Sequence, residues 1–90
     1  MQKLEVENLD ERIEVLCVFG DGNTKNNCMP RKIKHKGRVI EFNELGFRHP
    51  TSKGERMIHV FDMTDSLADY RIEFDAESLT WTLISKIIVD

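Results

Sequence analysis

No apolar run in this 90-residue chain approaches the roughly 18 residues that a membrane-spanning helix needs. The opening MQKLEVENLDER is acidic and lacks the apolar stretch of a signal peptide, so the expected location is the cytoplasm. Cysteine is scarce. Cys17 and Cys28 are too few for a disulfide scaffold; a disulfide between them is conceivable, but a reducing compartment makes two free thiols the expectation. Metal-ligand spacing is missing as well: Cys17, Cys28, His35, His49 and His59 form no C-x-x-C or H-x-x-x-H pattern. The GDG at 20–22 lacks the further Gly and Lys of a phosphate-binding loop. Cys28 and a histidine are formally available for nucleophilic catalysis, but no spacing places them together. Asp62, Asp65 and Asp69 surround the turn TDSLAD and read as solvated turn acids, not as paired catalytic carboxylates. No catalytic residue, cofactor or metal is therefore expected, and the protein is not expected to be an enzyme.

What the chain does contain is a sheet. Hydrophobic residues make up 40% and charged residues 32%, which excludes a disordered or fibrous chain. The length allows one domain, with a small β domain expected over residues 12–90. Residues 1–11 are expected as an N-terminal extension, where Leu4 and Leu9 leave a short helix, an edge strand and a loose tail open. Ile13, Val15, Cys17 and Phe19 alternate along one face of a strand that ends at GDGNTKNN. Met57, His59, Phe61 and Met63 alternate along another, bounded by a loop HPTSKG (49–54) and the turn TDSLAD. Tyr70, Ile72 and Phe74 alternate with charged residues. The loop DAES then leads into LTWTLISKIIV, where Trp81, Leu83 and Ile87 are placed on one face and Thr80–Ser85 is set against Tyr70–Phe74. Five or six mostly antiparallel strands imply an all-β fold, a small SH3-like barrel or strongly curved sheet. Its expected core is Val15, Ile33, Ile40, Phe42, Phe61, Tyr70, Ile72, Phe74, Trp81 and Leu83.

Charge is divided along the chain. Residues 1–24 carry a net −4 and residues 57–90 a net −5, whereas residues 25–56 carry +6. The basic excess is densest in PRKIKHKGRVIEF (30–42). A tight turn at Lys36-Gly37 sets His35 against Arg38, Lys34 against Val39, Ile33 against Ile40, and Lys32 against Glu41. Ile33, Ile40 and Phe42 then share the core face, and Lys32 and Lys34 the solvent face. Lysines on such a ribbon keep it soluble and guard its edge. The same Arg31, Lys32, Lys34, Lys36 and Arg38, with Lys53 and Arg56 from the neighbouring loop, could contact phosphates or an acidic partner. The ribbon lacks the exposed aromatics of single-strand binders, and a sequence pI near 5.6 is low for a dedicated nucleic-acid protein.

Pro30, the run K-I-K-H-K-G-R-V-I-E-F, Tyr70-Arg71-Ile72-Glu73-Phe74, Asp75 and Trp81-Thr82-Leu83 follow an order of landmarks that resembles a family of small uncharacterised all-β domains. Members occur alone or appended to DNA-repair polymerase-like proteins. The resemblance spans about residues 13–85, and it departs at His35 and Ile40, where an aromatic is usual beside Gly-Arg. It implies the same β fold and no assigned activity. The expected role is a non-catalytic binding or accessory module acting through protein contacts, homo-oligomerisation included. Weak, sequence-independent nucleic-acid contact through the 30–42 hairpin is the alternative.

Overall fold

Alternation at period two becomes strand wherever two such runs can pair. The computed structural model describes residues 4–22 and 28–89, and every regular element among them is β. In chain order these are β1 (Leu4–Phe19), β2 (Cys28–His35), β3 (Arg38–Glu41), β4 (Glu44–Lys53), β5 (Arg56–Thr64), β6 (Ala68–Asp75) and β7 (Thr80–Val89). They form one antiparallel sheet in the order β3-β2-β1-β7-β6-β5-β4.

Partner exchange along the chain curls this sheet. β1 pairs with β7 over Leu4–Ile13 and with β2 over Glu14–Phe19. Its register breaks between Asn8 and Glu11, where Asp10 takes φ +52°, and again at Leu16/Cys17. Such bulges bend and twist a strand. β3 and β4 lie at opposite ends of the strand order, yet only Phe42 and Asn43 separate them in sequence. The Phe42 N–H still donates to the Arg31 carbonyl beside β3 (2.9 Å), and the Asn43 N–H already donates to Thr64 in β5 (3.0 Å). So short a connection draws the two ends of the sheet together, and the result is a half-barrel.

The β2–β3 hairpin lays its apolar face into the concave side of that sheet. Ile33, Ile40 and Phe42 join Phe61, Met63, Ala68, Tyr70, Ile72 and Leu83 in one buried cluster. Phe42 and Tyr70 meet with ring centroids 5.5 Å apart. Val15, Phe74 and Trp81, expected within the core, are half-buried and pack against its border. Ile58 and Val60, on the opposite side of β5, are buried as well.

The hairpin register is the one that the turn chemistry predicts, from His35↔Arg38 to Lys32↔Glu41, and Lys36 and Gly37 both take positive φ. Other expectations need correction. The strands number seven, or eight when the two halves of β1 are counted apart, instead of five or six. One of the additional strands is β4, whose residues 49–53 were expected to be loop. Pro50 is tolerated there because β4 lies at an edge, where a missing N–H interrupts no second ladder. Of the three options for residues 1–11, the described part takes the edge strand: residues 4–11 are the first half of β1 and pair with β7 on one side. Ile87 does not share the face of Trp81 and Leu83. The β6–β7 register skips Ile84, which reverses the alternation beyond it, and Ile87 pairs with Asp69 while Lys86 faces Tyr70.

Candidate functional site

Two places on this fold gather chemistry. The first is the convex face of β1–β2–β3. Because Val15, Ile33 and Ile40 turn inward, their neighbours Glu14, Leu16, Lys32, Lys34, Val39 and Glu41 turn outward. Register aligns Glu14, Lys34 and Val39 in one row and Leu16, Lys32 and Glu41 in the next. Lys32 Nζ lies 3.2 Å from Glu41 Oε1. Leu16 and Val39 are 59% and 60% exposed, and Val18, farther along β1, is 49% exposed. Leu16, Val39, Lys32 and Lys34 line one shallow depression of about 300 Å³. It is an apolar strip with ammonium groups set into it.

The basic residues singled out from the sequence do not form one patch around this strip. Lys32 and Lys34 border it. Arg31 falls at the register shift of β2, exposed, its carbonyl held by Phe42. Lys36, at the hairpin tip, is 3.9 Å from Glu11 Oε1, and the neighbouring His35 Nε2 is 2.6 Å from Glu11 Oε2. Arg38 pairs with His35 across the hairpin and acts electrostatically on the Tyr70 phenol. Arg56 opens β5 just after the turn from β4, and Asp75 (2.9 Å) and Glu77 (3.3 Å) hold its guanidinium. Lys53 is its strand partner at that turn; its side chain lies outside the described residues.

The second place is a half-open cavity of about 210 Å³, lined by Phe19, Cys28, Arg48, His59, Phe61 and Phe74. Trp81 closes the aromatic wall, with ring centroids 4.6 Å from Phe74 and 5.6 Å from Phe61. The Arg48 guanidinium sits 5.9 Å from the centre of the Phe61 ring, a cation–π distance. The Cys28 sulfur lies 3.1 Å from that of Cys17. Burial, followed by the Cys28 neighbour, pushes the Cys17 thiol up to about 12. The space is below the 300–1,000 Å³ typical of small-molecule sites.

Spacing offered no reason to join Cys28 with His59, yet the curl of the sheet brings β2 and β5 to one cavity wall. The cysteine pair had a local signal. The antiparallel pairing of β1 with β2 sets Phe19 against Cys28, and Cys17 then lies diagonal to it. Among the described residues no group of three or more His, Cys, Asp or Glu side chains could hold a metal ion, and no helix is long and apolar enough to cross a membrane. The chain matches no protein-family model, no curated protein and no solved structure.

Proposed function

We propose that this protein is a non-catalytic binding module that presents the convex face of β1–β2–β3 to an apolar, acidic stretch of a protein partner. The exposure of Leu16, Val18 and Val39 together on one sheet face carries the reading. Single exposed apolar residues are ordinary, whereas a grouped set rimmed by charge marks interaction surfaces. Lys32 and Lys34 supply the complement for acidic side chains. The separation of the other basic groups, and the engagement of Lys36 and Arg56 by acids of the same chain, favour a protein partner over a phosphate backbone.

The test compares wild type with Leu16→Glu/Val39→Glu, two exposed positions where charge leaves the core intact. In quantitative cross-linking from cell extract, a partner with an acidic apolar segment is retained by wild type and lost by the variant, and a synthetic peptide of that segment competes for it. Identical capture by both proteins removes this face from consideration. Titration with labelled DNA and RNA at low and moderate salt completes the test, using Lys32→Ala/Lys34→Ala/Lys36→Ala as control. Saturable binding that falls steeply with salt and vanishes in the triple variant would replace the protein-binding reading with the nucleic-acid one.

A further inference from the structure

Cys17 and Cys28 approach each other for a structural reason. The register shift at Leu16/Cys17 sets Cys17 opposite Pro30, while Phe19 faces Cys28, so the two cysteines are diagonal neighbours on adjacent strands. The bulge adds local twist. Their sulfur atoms stand 3.1 Å apart, so a bond of about 2.05 Å needs a closing movement of only about 1 Å. Both side chains are half-exposed, and Cys28 opens onto the aromatic cavity. We infer that Cys17 and Cys28 form a reversible dithiol–disulfide site, modified by thiol–disulfide exchange with a low-molecular-weight disulfide such as oxidised glutathione.

The exchange runs in two balanced steps. The Cys28 thiolate, its proton released to solvent, attacks one sulfur of the small disulfide. The S–S bond of that molecule breaks, a mixed disulfide forms on Cys28, and the first small thiolate leaves and takes up a proton. Cys17 then attacks the Cys28 sulfur, giving its proton to solvent. The Cys17–Cys28 bond forms and the second small thiolate leaves. Two electrons pass from the protein to the reagent: two protein thiols are oxidised to one disulfide, and one small disulfide is reduced to two thiols. The high pKa of Cys17 makes it a poor first attacker at neutral pH and suits it to the second, intramolecular step, where proximity replaces thiolate population. The product cross-links β1 to β2 between Leu16 and Val18, the outward apolar pair, and thereby fixes the strand that carries the convex face.

The experiment equilibrates the full chain across a series of oxidised-to-reduced glutathione ratios, traps free thiols by alkylation and reads intact mass. Wild type passes from two alkylated thiols to none with a loss of about 2 Da, as a single two-electron transition. Dithiothreitol reverses it, and no glutathione adduct accumulates. In Cys17→Ser the adduct on Cys28 persists, because the resolving thiol is gone, and Cys28→Ser forms its adduct more slowly than Cys17→Ser, because the burial that raises the Cys17 thiol remains. Two free thiols at the oxidising end, a persistent wild-type adduct or a disulfide-linked dimer would each overturn the assignment. The decisive reading is made on wild type, so it stands even if a serine variant misfolds.

Discussion

Tyr70 is the single tyrosine of the chain, and its ring lies in the core while its hydroxyl donates to Asp65 Oδ2 at 3.2 Å. Burial, and then the Asp65 carboxylate, push the phenol from 10.0 up to about 12, against a smaller opposing effect of Arg38. In the unfolded chain the phenol ionises first, so stability is intact below pH 10 and is lost as pH rises towards 12. The expected loss is on the order of 2 kcal/mol. Tyrosinate absorbance checks the titration midpoint of the native protein, and denaturant melts at stepped alkaline pH check the stability. A midpoint near 10 would mean that the hydroxyl is solvated. Leu83, with no exposed surface, sits opposite Ile72 at the centre of the sheet. Leu83→Ala is expected to cost about 2–5 kcal/mol in urea unfolding. Val39→Ala, on the convex face, is expected to stay within about 0.5 kcal/mol. A reversal of that order would misplace the core.

The hairpin is the element whose local chemistry fixes its form most completely. Lys36 and Gly37 take φ +52° and +76°, which requires a residue free of Cβ constraint in at least one place. A Cβ on Gly37 would meet nothing within 4 Å, so the effect of Gly37→Ala is conformational alone. It is expected to destabilise by about 1–2 kcal/mol, measured as a lower denaturant midpoint with unchanged m-value. A neutral result would mean that the turn adopts another geometry. Two other turns are closed by aspartate. Asp65 Oδ1 accepts the N–H groups of Leu67 and Ala68 (2.9 Å each), and Asp75 Oδ1 accepts those of Glu77 (2.9 Å) and Ser78 (3.3 Å). Asp62 takes both ends of the Arg71 guanidinium fork, at 2.9 and 3.2 Å. These acids are engaged in local structure, which is the bland role that turn composition assigns to Asp65.

For the whole molecule, the first half of β1 matters beyond its modest sequence signal. It covers the edge of β7, pairing Leu4↔Val89 through Asn8↔Ser85 before the bulge. Removing residues 1–8 would strip that ladder and expose the β7 backbone groups. Such a truncation is expected to lose a sharp thermal transition by circular dichroism and to aggregate. A truncated protein that melts as cooperatively as the full chain would return these residues to the status of a dispensable extension.

Most strands other than β4, the 30–42 register and most of the core followed from the sequence alone, because each depends on neighbours only a few residues away. Ile33 opposite Ile40, or Lys32 opposite Glu41, needs nothing beyond period-two alternation and a turn of known length. Three features needed the tertiary structure. The partner exchange of β1 joins residue 4 to residue 89, and no local pattern states which distant strand it will meet. The bulge at Ile84 reverses the face of Ile87 through a single skipped residue, and the adjacent Ile87 and Ile88 let either phase put an isoleucine inward. The meeting of Phe19, Cys28, Arg48, His59 and Phe74 in one cavity depends on the accumulated twist of the sheet and on the two-residue bridge at Phe42–Asn43. Local chemistry chose the strands; long-range chain closure chose which of their side chains share a space.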